Sequence, residues 1–144
     1  MGEAIMERTC VFLKPDGVKR KLIGRIMERF EERGLRIIGL KMMQFNEQLV
    51  REHYAHLVDK PFFKDLQKFI MSSPVVIMVL EGEDAVNVVL GMCGPTDPKK
   101  ALSGTIRGDF AISVQENIIH RSDSKEVAKQ EMARFFKESE LFHY

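Results

Sequence analysis

His120 stands in Asn117-Ile118-Ile119-His120-Arg121-Ser122-Asp123-Ser124, directly after two β-branched residues and just before a cluster of helix-capping side chains. An imidazole at such a junction is exposed yet held, and a neutral ring nitrogen there can act as a nucleophile. A solvated surface histidine is the plain alternative. Glu131 bears on the choice. It falls three residues after Ala128 and four before Phe135, on or beside the face of the last helix that should be buried. An unpaired carboxylate is costly there and needs a partner. If that partner is His120, the carboxylate holds one ring nitrogen and leaves the other free; Arg134 on the helix edge fits the spacing equally well.

Lys14 sits where an apolar run meets Pro15-Asp16-Gly17, so its stem can pack while its ammonium faces the end of a sheet, or it is simply solvated. Arg107, in Thr105-Ile106-Arg107-Gly108-Asp109, would place a guanidinium suited to bidentate contact with phosphate oxygens. Thr96 offers a hydroxyl in the same loop, although Thr96 and Asp97 also fit turn residues bonding their own backbone. Phe62 and Phe63 follow Pro61 at a helix start, where an aromatic can stack on a planar ligand or the pair can be split between core and surface.

The elements that must position these groups follow from periodicity. Residues 10–13 predict a buried strand ending in a tight turn at 14–17. Ile23, Ile26, Met27 and Phe30 mark an amphipathic helix stopped by Gly34, and residues 35–45 a second strand, with Asn46 as N-cap of the next helix. Val50, His53, Tyr54 and Leu57 share one helical face, and Phe62, Leu66, Phe69 and Ile70 another, making a helical hairpin; His53, like His56 and His143, is a packing or surface residue. Pro74 opens a strand over 75–80 that Glu81-Gly82 closes, and Asp84 can cap a helix carrying Ala85, Val88, Val89 and Met92. Residues 94–108 form a long irregular loop, Phe110, Ile112 and Val114 alternate as a fourth strand, and Val127, Ala128, Met132 and Phe135 mark the last helix. These elements imply a small α/β sandwich: a four-stranded antiparallel sheet with helices packed on one face, strand order left open.

At 144 residues the chain is read as one domain, 1–144. With 22 Lys and Arg against 21 Asp and Glu, the net charge of +1 gives no general attraction to nucleic acid or membrane, so any anion site is local. Two cysteines, Cys10 and Cys93, lack metal-ligand spacing or a disulfide framework, as expected of a reducing cytoplasm. Residues 1–8 hold no apolar leader segment, and no run is long enough to span a bilayer.

With Lys14-Pro15-Asp16-Gly17, Tyr54, Pro61-Phe62-Phe63, Gly104-Thr105-Ile106-Arg107-Gly108-Asp109-Phe110 and the block 117–124 in this order, the chain closely resembles nucleoside diphosphate kinase from about Glu7 to the C-terminal helix. Each block alone has low specificity; the ordered set is very specific. The resemblance implies a ferredoxin-like sandwich that moves the terminal phosphate of a nucleoside triphosphate to a nucleoside diphosphate by a ping-pong route. Magnesium would ride on the phosphates without direct protein ligands, and the chain would form a homo-oligomer, a hexamer or tetramer. His120 matches the histidine that is transiently phosphorylated, and Glu131 the carboxylate that orients it. Lys14 and Asn117 match residues at the ribose hydroxyls and adjacent phosphate, Phe62 and Val114 the two sides of the base, and Tyr54, Thr96 and Arg107 residues around the phosphates; Leu66 joins this nucleotide-binding set.

The chain departs from the family pattern at three places. Leu90 stands where the family has an arginine that resembles a second phosphate clamp, Arg121 where it usually has glycine, and Lys21 where it usually has another glycine. Losing one charged hydrogen-bonding group costs about 1.5 to 3 kcal/mol, or roughly ten- to hundredfold in rate. Arg121 either replaces the missing guanidinium or obstructs the approach to His120. Two other readings stand beside the enzyme: a weakened paralogue acting as a nucleotide-binding or scaffolding protein, and a ferredoxin-like nucleic-acid module. The first is disfavoured by retention of His120, Lys14, Asn117, Arg107 and Glu131, the second by the near-zero charge.

Overall fold

A computed structural model describes residues 6–144; the first five residues, part of the 1–8 stretch in which no leader is expected, lie outside the described residues. Strands β1 (Met6–Leu13), β2 (Arg36–Met43), β3 (Val75–Glu83) and β4 (Ile119–Arg121) form one antiparallel sheet in the order β2-β3-β1-β4. Helices α1 (Pro15–Lys19), α2 (Ile23–Glu32), α3 (Glu47–His53), α4 (Phe63–Ile70), α5 (Ala85–Cys93), α6 (Ile106–Phe110) and α7 (Lys125–Phe135) connect and cover it.

The helices cover both faces of the sheet, not one. Val11, Leu13, Met78 and Leu80 pack with Ile26 and Phe30 of α2 and Val89 of α5. Cys10, Phe12, Ile77 and Val79 pack with Val50 of α3, Ile70 of α4 and Phe135 of α7. The unbroken apolar runs of the two central strands carry the reason: alternate side chains enter opposite layers, so a strand buried on both sides does not alternate.

Other differences are local. The expected turn at 14–17 opens the short helix α1, with Pro15 at its first position, where the missing N–H costs no hydrogen bond. Glu81 and Gly82 do not close β3 but stay paired with Arg8 and Glu7. Asp84 adopts a left-handed conformation (φ 54°) and makes no capping bond; Glu7 Oε1 accepts from the Val86 N–H at 3.3 Å instead. The loop after α5 is partly ordered by a 3-10 turn, Pro98–Lys100, and by α6, capped by Thr105. The fourth strand is Ile119–Arg121, whereas Phe110 ends α6 and Ile112 and Val114 are exposed. Three residues are too few for period 2 to register, and the alternation at 110–114 faces no sheet. Asn46 and Ser124 do cap their helices, accepting from the N–H groups of Leu49 and Val127. Lys21 sits at φ 61°, in the region only glycine enters without strain, which accounts for the glycine of the family pattern.

Candidate active site

β4 and α7 place His120 and Glu131 on the same side of the sheet. The imidazole stacks on Phe12 of β1, centroids 4.7 Å apart, and its Nε2 lies 2.8 and 3.0 Å from the Glu131 carboxylate oxygens. Glu131 is thus paired with His120, one of the two partners its spacing allowed. Ser122 Oγ donates to Glu131 Oε1 at 2.5 Å. Burial pushes the Glu131 carboxyl up, but the hydrogen bond and charge of His120, then Ser122 and Arg134, bring it below its ordinary value. An ionised carboxylate only accepts, so Nε2 of His120 carries the proton and Nδ1 keeps its lone pair.

Arg134 turns elsewhere: Nη1 donates to His53 Nδ1 at 2.9 Å, and Nε lies 3.5 Å from Glu52 Oε1. Of the two places open to it, packing or surface, His53 is packed, and it is packed inside the site. Its ring meets that of His120 edge-on at 4.7 Å, and its Nε2 lies 3.8 Å from Glu131 Oε2. Burial first, then the charges of His120 and Arg134, pull its pKa down to about 2, so the ring is neutral with its proton on Nε2. Although His53, His120 and Glu131 offer ligand atoms within 4.8 Å of one another, they do not suit a metal. A ligating histidine presents a lone pair and donates its other N–H; Arg134 forces His53 into the opposite tautomer.

The approach to His120 is fixed by interlocking the segments around 14–17 and 117–119. Lys14 Nζ donates to Asn117 Oδ1 at 2.7 Å, the Lys14 N–H to Ile118 O at 2.8 Å, and the Ile118 N–H to Asp16 Oδ2 at 3.0 Å. These bonds hold Ile118 at φ 74°, a conformation a β-branched residue avoids at a cost of about 1–3 kcal/mol. Arg107 is buried and donates to the carbonyls of Asn117, Gly94 and Ile119 at 3.3, 2.9 and 2.7 Å. The expected open guanidinium is therefore largely a backbone brace, with one N–H left on each terminal nitrogen. Burial lowers the pKa of Lys14 to about 8, with Arg107 as the next cause, and that of Arg107 to about 10, with Arg121 next.

A cavity of about 480 Å³ is lined by Lys14, Tyr54, Thr96, Arg107, Asn117 and His120, with Glu131 and Arg121 in its wall. The Tyr54 hydroxyl is buried without a partner, and Thr96 contributes its carbonyl to the Asn117 amide at 3.1 Å. Phe62, Leu66 and Val114 lie outside this lining. Phe62 is 51% and Val114 56% exposed, Leu66 packs partly into the core, and Phe63 is buried, so the adjacent phenylalanines divide between surface and core. A hollow between Asp65, Lys68 and Phe69 of α4 and Gln115 shows that the segment bearing Val114 faces α4. Sequence reasoning missed Asp16, His53, Ser122 and Arg134 as members of the site. Only Arg134 carried a signal, as the other possible partner of Glu131.

Residues 7–141 match the family model described as nucleoside diphosphate kinase. The chain is 56% identical over 136 residues to a nucleoside diphosphate kinase of Sulfurisphaera tokodaii, covering 94% of this chain and 92% of the relative. It is 51% identical over 147 residues to one from Pyrococcus abyssi, covering 100% and 92%. A solved halophilic nucleoside diphosphate kinase from Halobacterium salinarum, in complex with CDP, superposes with a TM-score of 0.93 at 46% identity, covering 97% of this chain and 93% of that one.

Proposed function

The chain belongs to the nucleoside diphosphate kinase family, and from that premise we propose that it transfers the terminal phosphate of a nucleoside triphosphate to a nucleoside diphosphate through a phosphohistidine on His120. The observation that carries this reading is the Nε2–Glu131 contact of 2.8 Å, which leaves Nδ1 as the free nucleophile. The Nδ1 lone pair attacks the terminal phosphorus; the bond to the bridging oxygen breaks, and its electron pair leaves with the diphosphate. Positive charge gained by the ring is stabilised by Glu131, itself oriented by Ser122. A second diphosphate then attacks the phosphohistidine with a terminal oxygen and returns the electron pair to Nδ1.

Phosphoryl transfer needs positioning and charge neutralisation more than covalent help. Lys14 and the free donors of Arg107 meet the phosphates, Asn117 and Lys14 the ribose hydroxyls, and Tyr54 and Thr96 the phosphate surroundings, while Phe62, Leu66 and Val114 contact the base. Stacking on apolar surface with few edge contacts makes the enzyme tolerant of different bases. The cavity's cations, Lys14, Arg107, Arg121 and Arg134, and the pairing of Asp123 with Arg121 at 2.8 Å favour magnesium held through the phosphates rather than by protein ligands. Bound there, the ion neutralises phosphate charge.

The scaffolding alternative, motivated by Leu90 and Arg121, is not favoured, because the interlocked Lys14, Arg107, Asn117 and Glu131 contacts are intact. Homo-oligomerisation into a hexamer or tetramer is supported by the exposed apolar side chains Leu40 and Met42 on the edge strand β2; a sizing measurement distinguishes the two. Among the described residues no helix is long and apolar enough to cross a membrane, and the two buried free cysteines suit the reducing cytoplasm proposed for this single 1–144 domain. Incubation with nucleoside triphosphate labelled in its terminal phosphate, plus magnesium, should give an acid-labile label on the protein. The label should vanish in His120→Ala and discharge on adding nucleoside diphosphate. An unlabelled parent protein sinks the reading.

A further inference from the structure

Of the cationic side chains lining the cavity, Arg134 is engaged with His53 and Glu52, whereas Arg121 has no contact with the groups around His120 that carry the proposed transfer. Along β4, Ile119 enters the layer of α2 and α5, while His120 stacks on Phe12 in the other layer. By strand alternation Arg121 leaves the backbone on the α5 side. It pairs in register with Val11 and keeps a negative φ, so an arginine here imposes no backbone strain and does not tilt His120.

Its side chain borders two spaces at once. Arg121 lines the His120 cavity, and it lines a neighbouring hollow of about 500 Å³ together with Leu90 of α5, Gly94 and Thr105. Its Nη1 donates to Asp123 Oδ1 at 2.8 Å, but Nε is buried without a hydrogen-bond partner. The carboxylate of Asp123 is 75% exposed and so largely screened by water. Lys14, Arg107 and Arg121 therefore converge, with the buried Asp16 offsetting part of the charge beside Lys14, and, after burial, Arg121 contributes to lowering the pKa of both others. A buried unsatisfied guanidinium donor beside two further cations is matched by an anion with several acceptor oxygens.

We propose that Arg121 binds the polyphosphate of the nucleotide, supplying from β4 the guanidinium that Leu90 does not supply from α5. This rests on the phosphotransfer reading above, and its test separates the two. Affinities for Mg-ADP and for adenosine are measured by calorimetry on the full chain, for the parent, Arg121→Gln, Arg121→Gly, Arg121→Lys and Leu90→Arg/Arg121→Gly, together with the rate of His120 labelling from ATP. Arg121→Gln and Arg121→Gly should each weaken Mg-ADP by roughly ten- to hundredfold and leave adenosine within about twofold. Arg121→Lys should recover part of the loss, and the double variant most of it.

Unchanged Mg-ADP affinity in both neutral variants overturns the proposal, as does faster labelling in Arg121→Gly, which would mean obstruction. Equal losses for ADP and adenosine also overturn it, since a merely structural role moves both. If the parent binds Mg-ADP through Arg121 but His120 takes no label, the phosphate site stands and the transfer reading falls.

Discussion

The two ends of the proposed nucleotide site, one inside the His120 cavity and one outside its lining, are built on different physical terms. At the phosphate end, Lys14, Arg107, Asn117 and Asp16 are fixed by hydrogen bonds to backbone or to one another, Glu131 by His120 and Ser122, and a strained Ile118 is held between Lys14 and Asp16. At the proposed base end, Phe62 and Val114 are exposed side chains with no polar partner to define them. Chemistry at phosphorus gains from donors already in place, because they do not reorganise as the transition state forms. Stacking tolerates movement and does not distinguish one base face from another. On the proposed reading, precision is concentrated where phosphorus chemistry needs it and absent where different bases would fit.

The largest effect should come from releasing the strained segment. Asp16→Ala leaves the buried Ile118 N–H without its acceptor, which should cost about 1–3 kcal/mol of stability and lower turnover by roughly ten- to hundredfold. Asp16→Asn, which keeps an acceptor, should lose far less; denaturant titration with steady-state kinetics checks both, and an Ala variant as active as the parent would remove the contrast between the two ends.

Lys14 makes the same end sensitive to pH. Its folded pKa of about 8 lies below the ordinary 10.5, so kcat/KM should fall by about tenfold per pH unit above about pH 8 as the free enzyme loses this cation. Between these two values the unfolded chain binds more protons than the folded one, so this group makes the nucleotide-free protein more stable as pH rises. Loss of activity alongside a gain in stability, read from pH-rate profiles and denaturant titrations, is the expected signature.

Breaking the base end should matter less. Phe62→Ala should raise KM for all nucleotides by roughly fivefold, about 1 kcal/mol of lost stacking, to similar extents for purine and pyrimidine, with kcat within about twofold and stability nearly unchanged because the ring is exposed. A drop in kcat as large as that of Asp16→Ala would mean that this end is preorganised too. The smallest effect lies outside both ends: Lys21→Gly should relieve the left-handed φ of 61° and stabilise the fold by about 1 kcal/mol, without changing turnover.

Much of this was legible in the linear order. The period-3.6 face of Ile23, Ile26, Met27 and Phe30 became α2, the capping residues Asn46 and Ser124 stand where their helices begin, and seven of the ten proposed site residues meet in one cavity. What was misread shares a cause. The second helical layer was missed because an apolar strand buried on both faces has no period. β4 was displaced because three residues carry none, and Arg107 looked free because carbonyl acceptors are invisible in a sequence.

The sequence by itself determined the types and order of the groups, and hence the family and its chemistry, since local propensities and ordered motifs are properties of the chain. Tertiary structure alone decided which partner the Glu131 carboxylate takes and which nitrogen of His120 is free. It also decided that His53 is a neutral wall, that Arg107 braces three carbonyls, and that Ile118 is held in strain. These depend on contacts such as Lys14 with Asn117, 103 positions apart, where burial sets the strength of every charge and only the fold brings the partners together.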